Sequence, residues 1–313
     1  VKLIPADIEY VFTRINCLAC ARSRMRRAHP APHALASLPP YVGYLLSADF
    51  VPISPPSIAG HVGFYLFRER TVGYLNGILV KSKAHFLPCA QRVTAFYKQH
   101  GWVVRQLRID AGSVENKQAT VLALNNLNVE VQPAVPEEQQ QNFVERSVQT
   151  VSRGTCTLLL NQMYLSMAYW HLALLSYIHT YVASPNSLTG DVSPQYAVTG
   201  IHPDLDKLFL YKFGQTVISL ILDQARSSFK FAPHGEFGFA VGCTASGNCG
   251  TLVLLPHRDA KAVFVRRHVQ SVTMNLIPPL VNPPPEPIFD GDHMLLPENP
   301  LLDANAMRII FPA

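Results

Sequence analysis

Charge is scarce in this sequence. Only 15% of its residues are Asp, Glu, Lys or Arg, against about 25% in an ordinary globular protein. The 26 basic residues outnumber the 21 acidic ones, for a net charge of +5. That excess is compatible with a nucleic-acid partner but too small to predict one. Cysteine is sparse as well, with six in 313 residues, which excludes a disulfide-dense secreted miniprotein. An apolar fraction of 48% excludes a wholly disordered chain. No charged-apolar-small leader follows Val1, and the chain is expected to be a piece of a longer polypeptide. Its 313 residues allow two or three compact units, at ~100–200 residues each.

The scarcity of charge peaks in one place. From Gly154 to Gly190 there is no Asp, Glu, Lys or Arg. A run of ~20 apolar residues can span a bilayer. This one carries Asn161, Gln162, His171, Ser176 and His179, and Pro185 ends it. Its apolar residues fit two buried helices broken near Ser166. No membrane partner is expected.

Proline, by contrast, is plentiful. Nine of the 25 prolines fall in 277–313, three of them consecutive at Pro283, Pro284 and Pro285. Such a segment favours extended polyproline conformation, so 276–313 reads as a tail. From Tyr41 onward, short β-rich segments are expected at Tyr41–Val51, His61–Phe67 and Thr71–Val80. Gly60 and the Arg68–Arg70 stretch read as breaks between them. A helix over 82–100 precedes a strand over Trp102–Asp110. A short helix to about Asn126, a strand over Leu127–Val135 and a long helix from Phe143 complete the series. Three strands before the first helix point away from a doubly wound sheet and toward a mixed α/β sheet of ribonuclease H-like strand order, flanked by helices. Beyond Asp191 the chain is again β-rich, with strands at Thr216–Leu222, Phe237–Val241, Gly250–Leu255 and Ala262–Val269. The expected organisation is an N-terminal region 1–40, a core 41–190, a small C-terminal β-rich module 191–275 and the tail.

Three acids stand where that order would bring them together. Asp49 and Asp110 each end a strand-like run, and Glu145 falls in the first turn of the long helix. Converging carboxylates repel unless cations neutralise them, and hard oxygen donors suit Mg or Mn. Two such ions would activate a nucleophilic oxygen and stabilise the leaving oxygen of a phosphodiester. From spacing alone such residues more usually serve as turn-forming or solvated and helix-dipole residues.

The surrounding residues are less generic. Asp49–Ser57 resembles the first catalytic strand of copia-type LTR retrotransposon integrases, Leu107–Gly112 their second-Asp strand, and Val135–Arg146 the start of their Glu-bearing helix. Tyr169-Trp170, Ser184-Pro185, Ser193-Pro194, Tyr196, Gly200, Pro203 and Phe213-Gly214 are similar to later landmarks of that family, in order. So are Gly235, Gly238 and Val241-Gly242 in the β module. Cys17 and Cys20, followed by basic residues, resemble the second half of its zinc motif.

The resemblance implies DNA strand transfer by Asp49, Asp110 and Glu145, with two Mg or Mn ions, on double-stranded element ends and target DNA. It also implies a homo-oligomer acting in the nucleus, with cytoplasmic element particles as a second location. Two departures qualify it. The family's Asp-Asn-Gly is here Asp110-Ala111-Gly112, and the spacing from Asp110 to Glu145 is one residue short. At a helix start that deletion turns the rest of the helix by ~100° unless the preceding loop absorbs it. Glu137 and Glu138 are nearby substitutes. The alternative is a decayed or domesticated core that only binds DNA or self-associates.

Cys17 and Cys20 supply half a tetrahedral zinc site. The family's His pair would lie upstream, so zinc belongs to a longer parent chain. Two ordinary thiols remain the other reading, and His29 and His33 fall on the wrong side of the pair. Arg22, Arg24, Arg26 and Arg27 form the densest basic patch, and Arg266 and Arg267, near Arg258 and Lys261, a second. If they bind DNA they contact phosphates, with salt-sensitive affinity and little sequence preference.

Overall fold

The structure is a computed structural model, and it describes residues 41–109, 118–133, 143–162, 165–221, 233–244, 250–272, 288–290 and 293–295. Two five-stranded sheets dominate it. The first is built from β1 (Leu45–Pro52), β2 (Gly63–Glu69), β3 (Leu75–Val80), β4 (Gln106–Ile109) and β5 (Glu130–Pro133). Their spatial order is β3-β2-β1-β4-β5. β1, β2 and β3 pair antiparallel as a meander, whereas β4 runs parallel to β1 and β5 parallel to β4. The expected mixed sheet and its three leading strands are therefore present.

Strand alternation divides the side chains of this sheet between two cores. Leu46, Ala48, Tyr65, Phe67, Leu107 and Ile109 pack with α1 (Phe86–Gln99), through Phe86, Val93 and Tyr97. Phe64 and Leu66 point the other way, onto α3 (Phe143–Asn161) and α4 (Trp170–Ala183). Between α1 and α3 lies the short helix α2 (Gln118–Asn125). Residues 63–67 of β2 are buried throughout, because helices cover both faces. Each fully buried large side chain there contributes about 1.5–3 kcal/mol.

The charge-free segment folds as two helices with the break where the sequence places it. α3 ends at Asn161, and a short 3-10 turn over Met167–Tyr169 leads into α4. The Ser166 hydroxyl caps that turn by accepting from the Ala168 N–H at 3.1 Å. Among the described residues no helix is long and apolar enough to cross a membrane.

Several landmark residues turn out to be structural punctuation. Ser193 caps α5 (Pro194–Thr199) by accepting from the Tyr196 N–H at 3.1 Å, with Pro194 opening the helix. Gly200 ends it at φ 71°, a conformation costly for any residue with a Cβ. Val198 of α5 belongs to the α1 core, and its carbonyl accepts from Trp102 Nε1 at 2.8 Å. α5 thus packs onto the core of the first sheet.

After α6 (Leu205–Leu208) comes the second sheet: β6 (Gln215–Leu220), β7 (Gly235–Cys243), β8 (Thr251–Leu254), β9 (Val263–Arg266) and β10 (Val269–Ser271), in the order β10-β6-β7-β8-β9. The single strand expected over Ala262–Val269 is two, broken at Arg267-His268 so that β10 reaches across to β6. Leu165 and Tyr169 share a core with Val241 and Leu254, which joins this sheet to the start of α4. Within the expected tail, β11 (Ile288–Asp290) pairs antiparallel with β12 (His293–Leu295).

Candidate functional site

Asp49 does not end its strand. Pairing with β2 continues through Val51↔Phe64 to Pro52↔Gly63, so Asp49 sits inside β1, opposite Leu66. Only the parallel pairing with β4 stops earlier, at Ser47↔Arg108. Because Val51 packs in the α3 core and side chains alternate, Ser47, Asp49 and Val51 share the α3 face of the sheet. Asp49 is half-buried there. Glu145 lies in the first turn of α3, exposed, next to the fully buried Val144 that fixes the helix on the same face. Asp110 comes directly after the last residue of β4 and lies outside the described residues, as do Glu137 and Glu138. Among the described residues no three His, Cys, Asp or Glu side chains gather as metal ligands.

Arginine is what the structure adds at this place. The stretch Arg68–Arg70, expected as a break, instead completes β2 and the turn after it. Glu69 is held inward by N–H groups of Gly43, Thr71 and Val72, and the arginines on either side of it take the α3 face. Arg68 Nη1 donates to the Phe143 carbonyl and to Ser147 Oγ, both at 2.9 Å. The Arg70 guanidinium carbon lies 3.0 Å from the centroid of the Phe143 ring. Burial pushes the Arg70 pKa down to about 10, and the charges of Arg68 and Arg108 contribute to that depression. Burial also lowers that of Arg68, with Arg146 adding to the effect. The readable signal was the alternation Arg-Glu-Arg, which puts two cations on one strand face.

The second basic patch is divided by its strand. Arg266 is 7% exposed, and its Nη2 donates to Glu236 Oε1 at 3.1 Å. Glu236 also binds Arg258 Nε and lies 3.1 Å from His257 Nε2. Arg266, expected at a nucleic-acid surface, is instead held inside the sheet by this buried carboxylate, whereas Arg267 and Lys261 remain exposed. Cys17, Cys20, Arg22, Arg24, Arg26, Arg27, His29 and His33 lie outside the described residues. Cys89 is buried in the α1 core, and burial pushes its thiol up to about 11.

A second polar group lies where α4 meets the β1–β2 loop. Ser57 Oγ and His61 Nδ1 are 3.1 Å apart, and the His61 ring lies 5.3 Å from that of His171. His171 is buried, with no partner for Nδ1 among the described residues. Burial and the neighbouring His61 push its pKa down to about 4.

No protein-family model and no curated protein sequence matches this chain. It is similar to a chain of a simian T-cell lymphotropic virus intasome in complex with a PP2A regulatory subunit, at TM-score 0.43 and 12% identity. That alignment covers 85% of this chain and 90% of the other. It is also similar to the HTLV-2 integrase catalytic core domain in complex with magnesium, in a trimeric form, at TM-score 0.39 and 10% identity. Here 51% of this chain and 98% of the other are covered. Both scores are low, and neither likeness bears on which residues act here.

Proposed function

We propose that this chain is the catalytic region of a copia-type retroelement integrase with a ribonuclease H-like core, joining 3′ ends of element DNA to target phosphates. The observation that carries the reading is the parallel pairing of β1 with β4, in the register Leu46↔Leu107 and Ser47↔Arg108. Asp49 follows Ser47, and Asp110 follows Arg108, by the same two residues of sequence. The second support is Glu145 in the first turn of the helix that covers the Asp49 face. Carboxylates are the donors Mg and Mn prefer, so Asp49, Asp110 and Glu145 fit a pair of such ions. Bound there, the metal would supply an activated oxygen nucleophile and neutralise the leaving oxygen. The protein's own part is to hold Asp49 on β1 and Glu145 at the start of α3, and to bring phosphates close through nearby arginines. Element DNA, target DNA, a homo-oligomer able to join two ends, and a nuclear site of action belong to the same proposal.

A second reading, DNA binding without turnover, is favoured by one observation. Arg68, Arg70 and Arg108 crowd the sheet face on which Asp49 lies, a cationic surrounding that disfavours added metal charge.

A strand-transfer assay tests both. The purified chain is incubated with a duplex bearing recessed 3′ ends and a supercoiled plasmid, in Mg and then Mn, beside Asp110→Asn and Glu145→Gln. Joined products that vanish in both variants are expected. Folded, DNA-binding protein that gives no product sinks the enzyme reading and leaves the second.

A further inference from the structure

Pairing places three arginines on one patch of the first sheet. Arg68 lies across from Ser47, and Ser47 across from Arg108. The backbone N–H of Arg70 donates to the Leu45 carbonyl at 3.1 Å, one strand step along on the same face. The patch is two strand spacings wide, about 10 Å. The start of α3 lies over it, with Phe143 against Arg70 and Ser147 against Arg68. Arg146 adds a fourth cation from the first turns of that helix.

Among the described residues no carboxylate pairs directly with these guanidinium groups, and Glu69 attracts Arg68 and Arg70 only through space. Arg70 is 6% exposed, yet among the described residues its side chain has no hydrogen-bond or ion-pair partner beyond the face of Phe143. Arg68 Nε is likewise buried without a partner. Glu69 is the adjoining acid, but its oxygens are engaged by three backbone N–H groups on the other side of the strand. The positive end of the α3 dipole adds to the cationic field rather than offsetting it. A buried guanidinium without a carboxylate partner is unfavourable, and the fold places Arg70 and Arg68 where more positive charge surrounds them.

We infer that Arg70 and Arg68, ringed by Arg108 and Arg146, form a phosphate-binding site that takes one phosphate of a DNA backbone. A planar guanidinium donates two parallel N–H groups to such an oxyanion, and burial strengthens each bond. Asp49 is two residues beyond Ser47 on the same face of β1, about 7 Å along the strand. A phosphate held here therefore places the neighbouring stretch of backbone beside that carboxylate. Naming DNA as its source rests on the proposed function; the anion site itself requires neither metal nor turnover.

The test uses the whole chain in the presence of a chelator. Thermal unfolding is followed in sodium phosphate and in sodium chloride of equal ionic strength, for the wild type and Arg70→Met. Phosphate is expected to raise the wild-type Tm above its chloride value and to leave the variant unmoved. The variant's own Tm in chloride should equal or exceed that of the wild type, since an unpaired buried charge is gone. An equal phosphate response in both proteins, or none in either, overturns the site. A second arm measures binding of a fluorescent DNA duplex across a salt series. Losing one phosphate contact should lower the slope of log K against log salt by about 0.9, weakening binding roughly eightfold at about 0.1 M salt. An unchanged slope overturns DNA as the source and leaves free phosphate or nucleotide. Should Arg70→Met fail to fold, Arg108→Gln provides the same two readouts. Absence of strand transfer with both readouts intact would remove the enzyme reading without touching this site.

Discussion

Glu69 has no exposed surface, yet its oxygens accept from the N–H groups of Gly43, Thr71 and Val72 at 3.1, 2.9 and 2.7 Å. It ties the entrance of β1 to the β2–β3 turn, where those donors would otherwise be unpaired. Glu69→Ala should therefore lower unfolding stability by about 3 kcal/mol or more, as read by urea titration. Glu69→Gln, which keeps one acceptor, should cost less. His171 carries a pH dependence of definite sign. Its pKa is depressed in the fold to about 4 by burial and by His61, whereas the unfolded chain titrates near 6.5. Between those values the unfolded state binds more protons, so stability is complete above about 6.5 and falls as pH drops toward 4. Replacing His171 by Phe keeps a ring without a titrating group and should flatten that part of a Tm-against-pH curve. An unchanged slope would place the pH dependence elsewhere.

Helices α3 and α4 meet across Gly154. A Cβ built there would lie 1.9 Å from Cε2 of Tyr177, so only glycine permits this approach. Gly154→Ala should destabilise by roughly 1–3 kcal/mol. A Tyr177→Ala partner should recover part of the loss, and a double-mutant cycle by chemical denaturation would show the coupling. A sum of independent costs would mean that the helices do not meet through this pair. At this scale the sequence was largely legible, because the relevant signals are local. Ser166 caps where the charge-free run was expected to break, and the apolar run Phe64–Phe67 reads directly as a strand. Ends were less legible where distant groups decide them. β3 starts at Leu75 rather than Thr71 because the Glu69 carboxylate holds Thr71 and Val72 in a turn. The strand expected from Trp102 begins at Gln106, where pairing with β4's neighbour β1 sets in, while the Trp102 N–H is engaged by the Tyr97 carbonyl.

Over the whole molecule, the two sheets communicate through Leu165 and Tyr169, which pack against Val241 and Leu254. Leu165→Ala should lower stability by about 2–4 kcal/mol and separate the calorimetric transition into two. A single, uniformly shifted transition would mean that the sheets unfold as one for other reasons. The candidate site was legible only in part, for reasons of the same scale. Asp49 and Glu145 could be picked out as acids on a strand and a helix start, and the Arg68-Glu69-Arg70 alternation could put two cations on one face, but not beside those acids. Arg70, Arg108 and Phe143 are far apart in sequence and meet only through the β1–β4 register and the placement of α3. Likewise, nothing in the adjacent pair Arg266-Arg267 tells which is turned toward Glu236 until β7, β8 and β9 are paired. The order of the first sheet also bears on how the chain is made. β1, β2 and β3 are consecutive in sequence and pair as neighbours, so the ribosome delivers this meander complete before β4 has emerged. Its middle strand, later sealed by helices on both faces, begins as an exposed apolar ribbon waiting for α1, α3 and α4. That interval is when the nascent protein most needs a chaperone, and the amides of Tyr65 and Leu66 should afterwards be among the last to exchange with solvent.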